Sequence, residues 1–203
     1  MFKGPREGSQ DIRGDNNQQA QGDITNLAVY MLPENLPARL PSLMSAAALR
    51  LSAGISATPP PPAQLPHPYS IQQKIEYNAV RAYRSWIDDY GVYGFAVDAA
   101  YNEVDAHTPG ARTKILRHIW TKYTNIRAEL LLNNGKNSSR PADEIATIRA
   151  HADRIIHNIR DTVSREIVNS PEKGLIVEDV DFSANAITCH AFINCKILDR
   201  PPG

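Results

Sequence analysis

The chain has 203 residues, 42% hydrophobic and 22% charged, and its 22 basic residues are matched by 22 acidic ones. That is enough apolar material for one domain core of ordinary size. A formal net charge of zero argues against a dedicated nucleic-acid or membrane-surface protein, which carries a strongly basic balance.

The opening MFKGPREGSQ lacks the apolar core of a signal peptide, and no run approaches the ~20 apolar residues of a membrane span. The expectation is a cytoplasmic protein without membrane contact, in which the two cysteines, Cys189 and Cys195, are reduced. Residues 1–30 are polar and glycine-bearing. GDNN (Gly14 to Asn17) and GDIT (Gly22 to Thr25) carry turn chemistry, and the amide-rich residues between them fit either a short strand or a disordered tail. Residues 31–69 read as a linker: nine of the fifteen prolines lie there, including the stiff Pro59–Pro62 spacer. Within it, SLMSAAALRL predicts one short helix near 42–52, marginal unless it packs on something.

From about residue 70 the pattern becomes helical. Ile71, Ile75, Ala79, Ala82 and Trp86 recur at helical spacing over 70–90, and Gly91 is expected to interrupt that helix. Val97, Ala100, Tyr101 and Val104 mark a second helix over about 93–106, ended by Thr108-Pro109-Gly110. The third, about 111–134, places Ile115, Ile119, Tyr123, Ile126 and Leu130 inside and stops at Asn133-Asn134-Gly135. The fourth opens at Ser138-Ser139-Arg140-Pro141 and ends at Ser170-Pro171. Its positions Ile145, Ile148, Ala152, Ile155, Ile159 and Val163 form the clearest amphipathic pattern in the chain, one that would suit a coiled-coil seam. A fifth, about 179–198, is apolar over most of its circumference, so it must be buried by other elements or by another chain. Five helices without alternating strands predict an all-α bundle over 70–203.

Catalytic chemistry is hard to find. Cys189, His190 and Cys195 cluster, but no C-x-x-C or H-x-x-x-H pair accompanies them, so neither zinc nor another cofactor is expected. A nucleophilic cysteine needs a nearby base and exposure, and an apolar run raises a thiol pKa rather than lowering it. Asp143-Glu144 and Glu178-Asp179 stand where helix N-termini favour negative charge. No Walker-type glycine loop is present. The third helix is locally basic, through Arg112, Lys114, Arg117, His118, Lys122 and Arg127. Of these, Arg112, Lys114, Arg117 and Lys122 are the candidate contacts if the chain is a small nucleic-acid-binding regulator, with a solvated helix face as the plainer account.

Three motifs carry a resemblance. They are Lys74-Ile75-x-x-Asn78, then Val97-Asp98-x-x-Tyr101-x-Glu103, then a closing C-x-A-F-x-x-C-K-I-L-D-x-P from Cys189 to Pro201, in which Asp199 stands for a family Glu. Together they make residues 70–202 similar to the small C-terminal helical domains of ABC-three-component bacterial conflict systems. The resemblance implies a non-enzymatic adaptor that joins a middle component and an SMC-like ABC ATPase, and associates with itself. Such domains usually follow an effector, and nothing before residue 70 is large enough to be one, which puts toxin activity in this chain in doubt. The residues expected to make the partner interface are Ile145, Ile148, Ile155, Ile159, His190, Asn194 and Lys196, with nucleic acid at most an indirect partner.

Overall fold

The computed structural model describes residues 42–55, 71–133, 141–171 and 174–202, all of which fall in one unit, Pro37–Gly203. The expectations for residues 1–30 and for the Pro59–Pro62 spacer lie outside the described residues. Among the described residues there are seven helices and no strand: α1 Leu43–Ile55, α2 Ile71–Tyr77, α3 Arg84–His107, α4 Ala111–Asn133, α5 Pro141–Ala150, α6 Ala152–Val168 and α7 Val177–Ile193. The all-α expectation holds, while the helix count and several boundaries do not.

Helix α7 is the axis of the bundle. From Ser183 to Ile193 every residue except Asn185 is buried, and α1, α3 and α6 pack around it. The buried apolar residues fall on two stripes, Ala184, Ile187 and Ala191 on one and Ala186, Cys189 and Ile193 on the other, while Val180 and Phe182 nearer its start are half-buried. The apolar circumference is therefore covered by this chain's own helices.

Helix α1 is the largest correction to the domain reading, which placed it in a linker. Met44, Ala47, Ala48 and Leu51 are all buried, at helical spacing, against α3, α7 and α6. The two alanines leave no side-chain bulk beyond Cβ, so α1 can approach its neighbours closely. The Ser42 hydroxyl accepts the Met44 N–H at 3.2 Å, an N-cap that fixes where the helix starts. A helix too short to persist alone is held by burial.

The single helix expected over 70–90 is two. Helix α2 ends at Tyr77, Ala79 adopts φ +54°, and the Val80 N–H donates to the Ile75 carbonyl at 3.0 Å, the long-range bond of a Schellman stop. Helix α3 then starts at Arg84 and runs unbroken through Gly91 and Gly94. At Gly94 a Cβ would stand 3.1 Å from the Tyr90 ring, so the missing side chain makes room for an aromatic. The change of register moves Ala79, Ala82 and Trp86 to the outside and puts Ile87 and Tyr90 inside.

The start of α3 is capped from a distance. The Asp153 carboxylate, on α6, accepts N–H groups of Arg81, Ala82 and Tyr83 at 3.1 to 3.4 Å. Replacing it removes the acceptor of three N–H groups in a largely exposed turn. Asp153→Ala is expected to lower the unfolding free energy by about 0.5–2 kcal/mol, the usual cost of a lost cap, read as a reduced urea midpoint at unchanged m. An unchanged midpoint would show that water satisfies the turn equally well.

The fourth expected helix also divides. Helix α5 ends at Ala150 and α6 resumes after His151, yet the amphipathic pattern survives the break, with Ile148, Ala152, Ile155, Ile159 and Val163 all buried. Helix α4 matches its expected span, with Ile115, Ile119 and Tyr123 inside. At the start of α7 the Asp179 carboxylate reaches back to the Ile176 N–H at 3.4 Å, the capping role expected of Glu178-Asp179.

Candidate functional site

Helix α7 stops at Ile193, five residues short of the expected end. Cys195 takes φ +55° and Leu198 φ +61°, while the Lys196 N–H reaches the Ala191 carbonyl at 2.8 Å. This is a second Schellman stop, with cysteine where glycine is usual. The closing residues turn back on the bundle, where Ile197 and Leu198 are buried.

The element they turn onto is α2. Lys74 is 1% exposed, and its ammonium donates to the carbonyls of Phe192 and, at 3.1 Å, Ile197. It also stands 4.4 Å from the centroid of the Phe192 ring. Phe192 lies in the last turn of α7, where its carbonyl also accepts the Cys195 N–H at 3.1 Å and the dipole is negative, so a cation adds to the cap of the helix end. Burial drives the Lys74 pKa from 10.5 down to about 8, against the opposing pull of the neighbouring Cys195 thiol. One turn on, the Asn78 side-chain amide donates to the Lys74 and Asp199 carbonyls, both at 2.9 Å, and its oxygen accepts the Asp199 N–H at 3.1 Å. Asn78 thus pairs with Asp199 as a strand neighbour would.

The third motif joins at the other side of α7. His190 is 0% exposed, its Nδ1 hydrogen-bonded to the Tyr90 hydroxyl at 2.5 Å and its Nε2 lying 3.9 Å from Asp98. Arg112 donates to Asp98 at 2.6 Å, and the Tyr101 ring meets the imidazole edge-on with centroids 5.1 Å apart. Burial raises the pKa of both Tyr90 and Tyr101, holding the phenols neutral. All three motifs noted in the sequence therefore meet around the last turns of α7: Lys74 and Asn78 on the closing segment, Asp98 and Tyr101 around His190. Spacing alone hides this, because the partners lie about a hundred residues apart in the chain.

These contacts tie α2 and the closing segment to the end of α7. Cys189 is buried, and burial pushes its thiol pKa up to about 12, the reverse of a nucleophile's. Among the described residues no three His, Cys, Asp or Glu side chains are grouped as a metal site requires. Lys74 is enclosed by backbone carbonyls that a substrate would have to displace.

The expected interface residues have mostly been used by the bundle itself. Ile148, Ile155, Ile159 and His190 are buried, so they belong to this chain's core and are closed to a partner. Ile145, Asn194 and Lys196 are half-buried, and the Asn194 side chain is turned back to the His190 carbonyl at 2.9 Å. The basic stripe of α4 is also partly spent. Besides Arg112 on Asp98, His118 and Lys122 meet Glu166 at 2.9 and 3.5 Å, and Arg127 meets Glu144 at 3.0 Å. Burial would raise the Glu166 pKa, but the contacts with His118 and Lys122 outweigh it and hold the carboxyl below its ordinary value. Only Lys114 and Arg117, of the four candidate phosphate contacts, are exposed with no ion pair among the described residues.

A surface feature passed over in the sequence lies between α3 and α7. Trp86 is 40% and Tyr93 38% exposed, and with Phe182, Ala186 and Cys189 they line a groove of about 250 Å³. The Tyr93 and Phe182 rings meet edge-on at 5.3 Å, and Trp86 meets Tyr83 the same way at 5.0 Å. Helical spacing over 70–90 places Trp86 on the core face, and only the break at residues 78–83 puts it outside.

Fold and site together define an all-helical bundle knit by buried polar contacts, with a preformed aromatic groove on its surface. No helix among the described residues is long and apolar enough to cross a membrane. Comparisons with protein-family models, curated proteins and solved structures found no match.

Proposed function

We propose that this chain is a non-enzymatic assembly module of a bacterial defence system, binding a partner subunit through the aromatic groove between α3 and α7. The observation that carries the reading is the half-exposed pair Trp86 and Tyr93, braced by Tyr83 and Phe182 beside a buried core. Rigid aromatic side chains supply large contact area at low entropic cost, and they dominate binding energy where they enter a partner's surface. The partner class comes from the resemblance: a middle component and an SMC-like ABC ATPase, alongside further copies of this chain. The groove replaces the interface read from the sequence, whose isoleucines are consumed internally. Pairing of Arg112 and Lys122 with carboxylates weighs against the nucleic-acid regulator. Affinity purification of the tagged full chain from its host tests the proposal. Retention of an ATPase-type subunit is expected, and a monomer that retains none would overturn it.

A further inference from the structure

Arg81, Arg149 and Arg154 line one cleft of about 490 Å³, formed where the α2–α3 turn meets the start of α6, and His151 lies beside them. None of the three arginines has a carboxylate partner among the described residues. Arg149 is held with its guanidinium 4.1 Å from the centroid of the Tyr77 ring, and its Nε is buried without a hydrogen-bond acceptor among the described residues. The one acid in the cleft, Asp153, accepts the N–H groups of Arg81, Ala82 and Tyr83 and forms no ion pair with the three guanidinium groups among the described residues. The first turn of α6 and the last turn of α5 form the other walls.

We propose that this cleft binds a phosphoryl group. Guanidinium groups present fork-shaped donors matched to phosphate oxygens, and three of them from separate segments suit a tetrahedral polyanion better than a single planar carboxylate. Stacking on Tyr77 holds Arg149 in place before a ligand arrives, which reduces the ordering that binding requires. The residues are separate from those of the aromatic groove, so the inference stands whether or not the assembly reading does.

The test is titration of the full chain with pyrophosphate at low ionic strength, followed by amide chemical shifts and calorimetry. Saturable shifts confined to the 79–83 and 149–154 segments are expected. Arg81→Ala with Arg154→Ala changes two exposed side chains and is expected to weaken binding at least about tenfold, as loss of two charge-assisted contacts would. Lys114→Ala on α4, outside the cleft, is expected to leave it unchanged. A short single-stranded DNA that displaces pyrophosphate from the same amides identifies a nucleic-acid backbone as the source of the phosphoryl group, and failure to displace it identifies a free phosphorylated compound. Absence of saturable shifts, equal binding by the double arginine variant, or equal affinity for a dicarboxylate such as succinate would overturn the proposal.

Discussion

Lys74→Ala is expected to lower the unfolding free energy by about 3–5 kcal/mol, among the largest losses any single side chain here can cause. The substitution removes the Ile197 carbonyl's donor, leaves the Phe192 carbonyl with backbone N–H donors alone, and opens a void at a position 1% exposed. Lys74→Met fills much of that void and removes a buried charge, so its cost is smaller, about 1–3 kcal/mol for the Ile197 carbonyl left without its donor. The pH dependence separates the charge from the packing. The folded-state pKa of Lys74, about 8, lies below the ordinary 10.5. Between those values the unfolded chain therefore binds more protons than the folded one, and stability rises with pH. The gain from pH 8 to pH 9 is about 1 kcal/mol. Above pH 9 Cys189 opposes it, because its folded-state pKa near 12 keeps a proton that the unfolded thiol releases. Above pH 10 the buried tyrosines Tyr90, Tyr101 and Tyr123 lower stability for the same reason. Urea midpoints at pH 8 and pH 9 should rise for wild type and stay flat or fall for Lys74→Met. Parallel curves would show that the Lys74 ammonium is not desolvated.

A chain beginning at residue 70 is expected not to fold cooperatively. It keeps the whole helical pattern read as the domain but lacks α1, whose Met44, Ala47, Ala48 and Leu51 cover α3, α6 and α7. Leu51→Ala alone should cost about 3–5 kcal/mol as a buried leucine truncation. Domains of this size have only about 5–15 kcal/mol to lose, and removing α1 forfeits all four side chains at once. Near-ultraviolet circular dichroism and thermal melts of the two chains give the result. A sharp melt for residues 70–203 would show that α1 is an accessory to the bundle.

Legibility in the sequence followed the length of the periodic pattern. Helix α4 and the core of α5–α6 could be read because isoleucines recur over many turns. Helix α1 is legible as a helix near 42–52 but not as part of the core, because its buried face is mostly alanine, which signals propensity but little hydrophobic contrast, and because prolines surround it. The stops after Tyr77 and Ile193 failed because Ala79 and Cys195 occupy left-handed positions where glycine is the usual signal. One register error at residues 78–83 then placed Trp86 inside and hid the groove. The clasp of Lys74 and Asn78 on the closing segment was beyond spacing arguments, since a lysine in a short amphipathic helix reads as solvated. Its only trace was that the three motifs of the resemblance hold the residues that meet around α7.

The most direct measurement compares partner retention by wild type with that of Trp86→Asp combined with Tyr93→Asp, in full-length chains purified from the host. Both positions are more than a third exposed, so the urea midpoint should change little and serves as the control for folding. An SMC-like ATPase or its middle component retained by wild type and lost by the folded variant is the result predicted. Equal retention by the variant, or a wild-type chain that stays monomeric and retains neither subunit, would contradict the assembly role of the groove.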